Sequence, residues 1–211
     1  MRRINGLTAG LVVALLLIGS ACGDDGDDES AAPAATTGSA PSAPRDLSRF
    51  LMRDGEEPGF SPDGEPLTVV GVDAFAAHAR LLPAEVRQLR QNGFISFTQL
   101  RTLADPDAAG VSEVKLFATP EGARKEMAFE LRASTIHAIL PETKIRRFAV
   151  SDVPDASGWT GSDLHGNSIG TLHWVQGRCM LVLVSEGDLA FVDVLSTGAR
   201  AIYERTGGDC P

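Results

Sequence analysis

The sequence predicts an α+β domain in which a mainly antiparallel sheet packs against several helices. Three consecutive segments, 159–164, 169–175 and 179–184, are predicted strands separated by short connections, among them a tight turn at 176–177. Consecutive strands joined by such short turns pair antiparallel. Helical segments precede and follow them, which is typical of the α+β class. The 211 residues suffice for one core, and we assign it to a single domain, residues 46–211.

The helices are predicted from their start and stop signals. The run Thr119–Glu121 combines a capping side chain, a proline suited to the first turn and an acid at the positive end of the helix dipole. Asp73 is expected to cap a shorter helix, and a helix that starts at Pro83 should stop at Gly93. The four predicted helices are 74–80, 83–92, 120–132 and 189–204.

Further strands are predicted at 94–103, 111–118 and 144–150 from their alternation of side chains. In the segment 111–118, Val114 and Leu116 share one face, whereas Lys115 and Phe117 share the other. No strand is predicted before residue 94.

The first 21 residues are predicted to be a secretory signal peptide. A cationic start, Arg2 and Arg3, precedes an almost unbroken apolar run at 7–21. As a helix this run spans about 22 Å, less than the roughly 30 Å of a bilayer's hydrocarbon core. That length argues against a permanent transmembrane helix. The acidic, Pro- and Ala-rich tract that follows argues against a buried core helix.

Cys22 is the predicted site of lipidation. The segment Ile18–Cys22 looks like a bacterial lipobox, in which the cysteine becomes the lipidated first residue of the mature protein. That family usually places Leu three residues before the cysteine, where this chain has Gly19, so ordinary secretion with cleavage nearby stays open. Lipoprotein modification adds more than one acyl chain, and two chains give stable attachment. We therefore expect anchoring at the outer face of the cytoplasmic membrane.

Residues 22–45 are predicted to form the lipidated cysteine and a disordered linker. The stretch 23–45 contains no aromatic and no large aliphatic side chain, so it cannot bury enough apolar surface to offset its ordering entropy. Its acids lie within 24–29 and permit two interpretations, a calcium-binding or cell-wall spacer and a solvated, self-repelling linker. The lack of ligand spacing favours the solvated linker.

The other two cysteines, Cys179 and Cys210, are predicted to form one disulfide. An even pair of thiols in an oxidising compartment is typical of a structural bridge. A reactive thiol pair is the alternative, but the spacing is far from Cys-x-x-Cys and no basic cluster adjoins both residues. The bridge would pin residues 206–211 to the strand that contains Cys179.

The charge balance argues against a nucleic-acid partner. Nineteen basic residues face 28 acidic ones, a formal net charge of -9, so there is no positive surplus to replace counterions on phosphates. The clearest basic cluster is Lys144, Arg146 and Arg147. It could bind an anionic polymer, but basic residues on an edge strand more often prevent unwanted strand pairing.

Two patterns suggest catalytic or metal chemistry without meeting its requirements. Residues 166–170 fit G-x-S-x-G, but a strand rather than a helix follows the serine, and no histidine lies beyond His173. Asp163, His165 and His173 could meet across neighbouring strands and hold a metal, yet their spacing fixes no geometry and no fourth ligand suggests itself. We therefore predict no catalytic residue, no metal site and no cofactor, and we expect the protein not to be an enzyme.

The two tryptophans, Trp159 and Trp174, suggest either core packing or a binding surface. Trp174 follows His173 within a predicted strand, so the two side chains point to opposite faces. We expect one of this pair to be buried and the other exposed.

Four stretches resemble actinobacterial cell-surface lipoproteins: 51–60, 91–94, 114–127 and 174–177. Such proteins are uncharacterised or sensor-like extracytoplasmic domains, similar in outline to the sensor domain of PknH-type receptor kinases. The resemblance covers most of residues 48–205. The kinase members have two disulfides where this chain can form one, and no functional residue is carried over from the group.

These observations lead to a functional hypothesis. We expect a non-enzymatic, membrane-anchored lipoprotein that binds a small apolar or amphipathic ligand, or a cell-envelope protein, in a cleft between sheet and helices. The alternative is a scaffold or interaction protein without a small-molecule site. A connected apolar cavity of roughly 300 Å³ or more would favour the binder, and a sealed core the scaffold. Clustered residues of perturbed pKa would favour an enzyme.

Overall fold

The structure is a computed structural model, and it describes residues 46–104, 108–133, 135–136, 145–162, 168–187 and 191–210. The signal peptide, Cys22 and the linker lie outside the described residues. The same holds for Lys144, Asp163, His165 and residues 166–167 of the G-x-S-x-G pattern.

Seven strands of the described chain form one antiparallel sheet with the spatial order β1-β2-β3-β7-β6-β5-β4. Two meanders lie side by side, one made of the first three strands and the other of the last four, and they meet where β3 pairs with β7. The strands are β1 Ser61–Val70, β2 Phe94–Ala104, β3 Ala108–Phe117, β4 Arg146–Ala149, β5 Ser157–Ser162, β6 Ser168–Gln176 and β7 Cys179–Glu186. The predicted α+β class with a mainly antiparallel sheet is confirmed.

Helices cover both faces of this sheet. The first three helices, α1 to α3, pack on one face, which we call the three-helix face. The last helix, α4, packs on the other, together with a short 3₁₀ turn at Ser48–Phe50. The helices are α1 Val72–Ala79, α2 Pro83–Gln91, α3 Pro120–Glu130 and α4 Phe191–Thr206.

The main apolar core lies between the sheet and α4. Alternate side chains of the central strands, such as Val114, Leu172 and Leu183, belong to the same core cluster as Leu195 of the helix. Trp174 is fully buried in this core. The N-terminal segment closes it from one side with four large apolar residues, Leu47, Phe50, Leu51 and Met52.

A guanidinium group joins the two ends of the described chain. Arg205, near the end of α4, forms a two-pronged ion pair with Glu56, at 2.5 Å from Nε to Oε1 and 3.0 Å from Nη2 to Oε2. The same side chain donates to the backbone oxygens of Arg49 and Leu51. Because a planar fork of donors matches a carboxylate, this contact orients the N-terminal segment across the α4 core.

A disulfide holds the C-terminal end to the sheet. Cys179, the first residue of β7, is joined to Cys210, and their Cα atoms are 5.8 Å apart. The pairing agrees with the one expected from the sequence. Gly177 faces the backbone of Cys210, where a Cβ would lie 2.7 Å from the Cys210 oxygen, so the turn before β7 has room for glycine alone.

The prediction that one of His173 and Trp174 would be exposed is wrong. Both are buried, at 4% and 0% exposure. Their side chains do point to opposite faces, but each face is covered, by α3 in one case and α4 in the other. A sheet with helices on both sides has no solvent-facing set of central residues.

Two further expectations need correction. Strand β1 was not predicted, because Pro62, Gly64 and Pro66 all disfavour strands; it forms as an exposed edge strand with a register shift between Asp63 and Leu67. Asp73 does not cap α1, which starts after Gly71 without a side-chain cap.

Candidate functional site

A cavity of about 140 Å³ lies between the three-helix face of the sheet and helices α1 to α3. Its apolar walls include four aromatic side chains, Phe75, Phe97, Phe129 and Trp159. Its polar lining comprises His78, Glu85, Gln99, Glu113, Lys115, Glu126, Glu130, Thr135, Thr171, His173 and Glu186. The cavity is therefore smaller than the 300 Å³ set for an apolar binder, and a group of charged side chains interrupts its mainly apolar walls.

The register of the sheet brings its polar side chains together. Gln99 on β2 pairs with Glu113 on β3, Glu113 pairs with Val182 on β7, and Val182 pairs with His173 on β6. One lateral row across four strands therefore carries an amide, a carboxylate and an imidazole on the three-helix face. In the row beside it, Lys115 is the partner of Phe97.

Lys115 is the buried cation of this site. Its Nζ lies 2.5 Å from Oε1 of Glu130 on α3 and 5.9 Å from the ring centre of Phe75 on α1. Burial by itself lowers the pKa of this ammonium, but the surrounding carboxylates of Glu130, Glu113 and Glu126 outweigh it and raise the pKa above its usual value. Lys115 therefore remains charged.

Two carboxylates beside Lys115 accept hydrogen bonds from neutral side-chain amides. Glu113 accepts a hydrogen bond of 2.8 Å from Gln99, and Glu126 on α3 accepts one of 2.7 Å from Asn92. Burial raises the pKa of Glu113, an effect opposed by Lys115 and reinforced by Glu130. Burial, together with the charge of Glu130, raises the pKa of Glu126 to about 7. Glu126 is thus divided between its two protonation states near neutral pH.

His173 is a neutral imidazole with one unsatisfied nitrogen. Burial lowers the pKa of His173 to about 4, because Glu130 only partly offsets the loss of water. Its Nε2 lies 3.5 Å from Oε2 of Glu130, whereas Nδ1 has no hydrogen-bond partner among the described residues. Oγ1 of Thr171, two residues earlier on β6, is also buried and has no partner within the described ranges. Such unsatisfied groups cost about 1–3 kcal/mol each, so both suit a bound molecule.

Helix α3 is fixed against the site by its first turn. The Thr119 side chain accepts a hydrogen bond of 3.1 Å from the Gly122 amide, as the sequence predicts for this cap. A Cβ at Gly122 would lie 2.0 Å from the backbone oxygen of Asn92, so only glycine permits this close approach. The contact places Glu126, one turn further on, beside the Asn92 amide.

The architecture is similar in outline to that of a solved extracellular domain. The extracellular domain of PknH from Mycobacterium tuberculosis aligns with 81% of this chain and with 100% of its own length, with a TM-score of 0.53 and 14% identity. The fold resembles that extracellular domain in outline. This confirms the structural resemblance indicated by the four sequence stretches, and at such low identity it concerns the fold alone. No protein-family model and no curated protein matches the sequence.

The sequence-predicted candidates are only partly assembled at this site. His173 and Trp159 line the cavity, whereas Trp174 lies in the opposite core. Among the described residues, no group of three or more His, Cys, Asp or Glu side chains is placed to hold a metal ion. Arg146 and Arg147 lie on β4, an edge strand, as the protective interpretation of that basic cluster expects. Within the described ranges no helix has the length and apolar character to cross a membrane.

Sequence reasoning missed the charged residues of the site, Glu113, Lys115, Glu126 and Glu130. A signal was available for two of them. Glu113 and Lys115 occupy one face of a predicted strand whose neighbours Val114, Leu116 and Phe117 are large and apolar. Charges on the inner face of a central strand require partners, and they therefore indicate a buried polar site.

A second buried carboxylate lies outside this cavity. Burial raises the pKa of Glu57 to about 7, although a hydrogen bond from Ser185 opposes the shift. Ser185 Oγ is 3.1 Å from Glu57 Oε1. This pair links the N-terminal segment to the α4 side of β7, so it has a structural role.

Proposed function

We propose that the chain is a lipid-anchored extracytoplasmic protein whose domain binds a small amphipathic ligand in the cavity under helices α1 to α3. The observation that carries this proposal is the combination of aromatic walls with buried, unpaired polar atoms on His173 and Thr171. Natural folds rarely leave such atoms unsatisfied unless a bound partner supplies the missing hydrogen bonds.

The volume of the cavity limits the size of the ligand. A cavity of about 150 Å³ is large enough for a benzene-sized molecule, and this one has about 140 Å³. The ligand is therefore small, or it is the end group of a longer molecule. Binding without chemical conversion suits a sensor-like role, which is also the role suggested by the fold resemblance to the PknH extracellular domain.

Native mass spectrometry tests whether the protein carries a ligand. The mature chain is exported by the cells that make it and is purified without refolding. We expect an added mass that denaturation releases. Val184 lines the cavity on β7, so Val184→Phe should fill it and abolish the added mass. Val192→Phe is the matched control, because Val192 is 40% exposed on α4, and it should retain the ligand. A wild-type spectrum without added mass would favour the scaffold interpretation.

The lipid anchor gives a second expected result. Cys22→Ala should abolish incorporation of labelled palmitate and release the protein from the membrane, because the acyl chains supply the attachment. Cys210→Ser is the control, since this cysteine is bridged to Cys179, and it should leave labelling intact. Labelling that survives Cys22→Ala would place the lipid elsewhere, and a wild-type protein that takes up no label would exclude the lipoprotein.

Acid–base catalysis is a second candidate function, favoured by one observation. Clustered groups of perturbed pKa are typical of active sites, and Glu113, Lys115, Glu126 and His173 form such a cluster. The same mass spectra separate the two functions. A carried molecule recovered unchanged after incubation with the protein supports binding, and its conversion by wild type but not by Glu126→Gln supports an enzyme.

A further inference from the structure

The cavity has a surplus of carboxylates. Glu85, Glu113, Glu126 and Glu130 line it, and among the described lining residues Lys115 is the one lysine or arginine. Lys115 makes its close ion pair with Glu130. Glu113 and Glu126 are therefore left with the amides of Gln99 and Asn92 as their hydrogen-bond donors.

We propose that the cavity recognises a small organic cation, an amphipathic molecule with an ammonium group attached to an apolar body. This inference rests on the proposed function and names the chemical class of its ligand. A second cation beside Glu113 and Glu126 gains charge-assisted hydrogen bonds that their amide partners do not provide. An anion would face the same carboxylates with a single ammonium that is already paired, so the charge distribution disfavours it.

The unpaired polar atoms have the right character for such a ligand. The position of Nε2 of His173, 3.5 Å from a Glu130 oxygen, favours the tautomer with the proton on Nε2. In that tautomer Nδ1 presents a lone pair and accepts hydrogen bonds. A hydroxyl such as Thr171 Oγ1 accepts them as well. Ammonium groups only donate, so each of these two atoms is a suitable acceptor for a cationic ligand.

The apolar part of the ligand is matched by the aromatic walls. Phe97, Phe129 and Trp159 line the cavity, and aromatic faces attract organic cations as well as apolar groups. The protein already uses this interaction internally, since the Lys115 ammonium lies over the ring of Phe75. A ring joined to a short ammonium arm suits both the walls and the volume.

Binding of a cation is coupled to proton release. Glu126 is partly protonated near neutral pH, because its pKa is raised to about 7, and an arriving ammonium favours its ionised form. The charges that act most on Glu126 are Glu130 on its own helix, Lys115 on β3 and Glu85 on α2. The other titratable groups that line the same cavity are His78, Glu113, His173 and Glu186. Affinity should therefore rise as pH increases through about 7 and then level off.

The test is isothermal titration calorimetry of residues 23–211, exported behind a cleavable signal peptide, with three matched probes. Phenethylamine is the cation, 2-phenylethanol the neutral analogue and phenylacetate the anion. We expect the amine to bind at least about tenfold more tightly than the carboxylate, with proton release detected from the dependence of the heat on buffer. Glu113→Gln and Glu126→Gln should each lower the affinity for the amine by about tenfold and leave the affinity for the alcohol unchanged. Glu204 is exposed on α4, so the control variant Glu204→Gln should change neither the affinity for the amine nor that for the alcohol.

The outcomes separate this inference from the proposed function. If the alcohol or the carboxylate binds as tightly as the amine or more tightly, and Val184→Phe blocks that binding, the preference for a cation is wrong but the cavity is still a ligand-binding site. If none of the probes binds, the charge of the carried molecule identified by native mass spectrometry tests the inference instead. An amine or quaternary ammonium would support the inference, and a neutral or anionic molecule would overturn it. The absence of both probe binding and a carried molecule would overturn the two proposals together.

Discussion

Replacing Lys115 by methionine is expected to lower the free energy of unfolding by about 3–5 kcal/mol, the range for removing one partner of a buried ion pair. Lys115 is 5% exposed and lies among Glu113, Glu126 and Glu130. Methionine fills a similar volume, so the loss reflects the unpaired carboxylates rather than a cavity. Chemical denaturation with urea measures the effect.

The pH dependence of this variant has a defined sign. Without the ammonium, the pKa values of Glu113 and Glu126, which burial already raises, rise further in the folded protein, while those in the unfolded chain do not change. A carboxyl group with a raised pKa favours the folded state at low pH and loses that contribution as pH increases. The destabilisation by Lys115→Met should therefore be larger at about pH 8 than at about pH 5.

Two controls make the Lys115 result specific. Lys125 pairs with Glu121 on the exposed side of α3, so Lys125→Met should change stability by less than about 0.5 kcal/mol. Adding Glu130→Gln to Lys115→Met should restore part of the lost free energy of unfolding, because it removes one of the buried carboxylates that no longer has a cation beside it. A Lys115→Met protein as stable as wild type at both pH values would show that the buried charge cluster is not as described.

Removing the disulfide is expected to cost about 3.5–4 kcal/mol in the chain-entropy model. The bridge joins residues 31 positions apart, and without it the unfolded chain gains conformational freedom. The double variant Cys179→Ser, Cys210→Ser is compared with wild type by urea denaturation in oxidising buffer.

Reduction provides the matched control for the disulfide. A thiol reductant should lower the stability of wild type to a value near that of the double variant and should not change the variant itself. Hydrogen exchange should become faster at the end of α4, where Thr206 contacts Gln176. Equal stability of oxidised and reduced wild type would contradict a structural role for this bridge.

The elements of the fold were largely predictable because their signals are local. The Thr119 cap defined the start of α3, and Pro83 with Gly93 bounded α2 within one or two residues. Alternation in β3 correctly separated Val114 and Leu116 from Lys115 and Phe117. Strand β1 escaped prediction because its pairing with β2 overrides the poor strand propensity of Pro62 and Gly64.

The candidate site was less predictable because it depends on long-range register. Lys115 and Glu130 are brought together by the packing of α3 on the sheet, and Glu113 and His173 by the pairing of β3, β7 and β6. No local pattern encodes either contact. His173 was singled out as a possible metal ligand, but its surroundings make it a neutral hydrogen-bonding group instead.

The most direct test of the ligand-binding account is a crystal structure of the exported, gently purified protein at a resolution that distinguishes organic molecules from water. We predict continuous density for a small molecule in the cavity, within hydrogen-bonding distance of His173 Nδ1 and Thr171 Oγ1 and against the ring of Trp159. A cavity filled by neighbouring side chains, or one that holds only water bridging these atoms, would contradict the account.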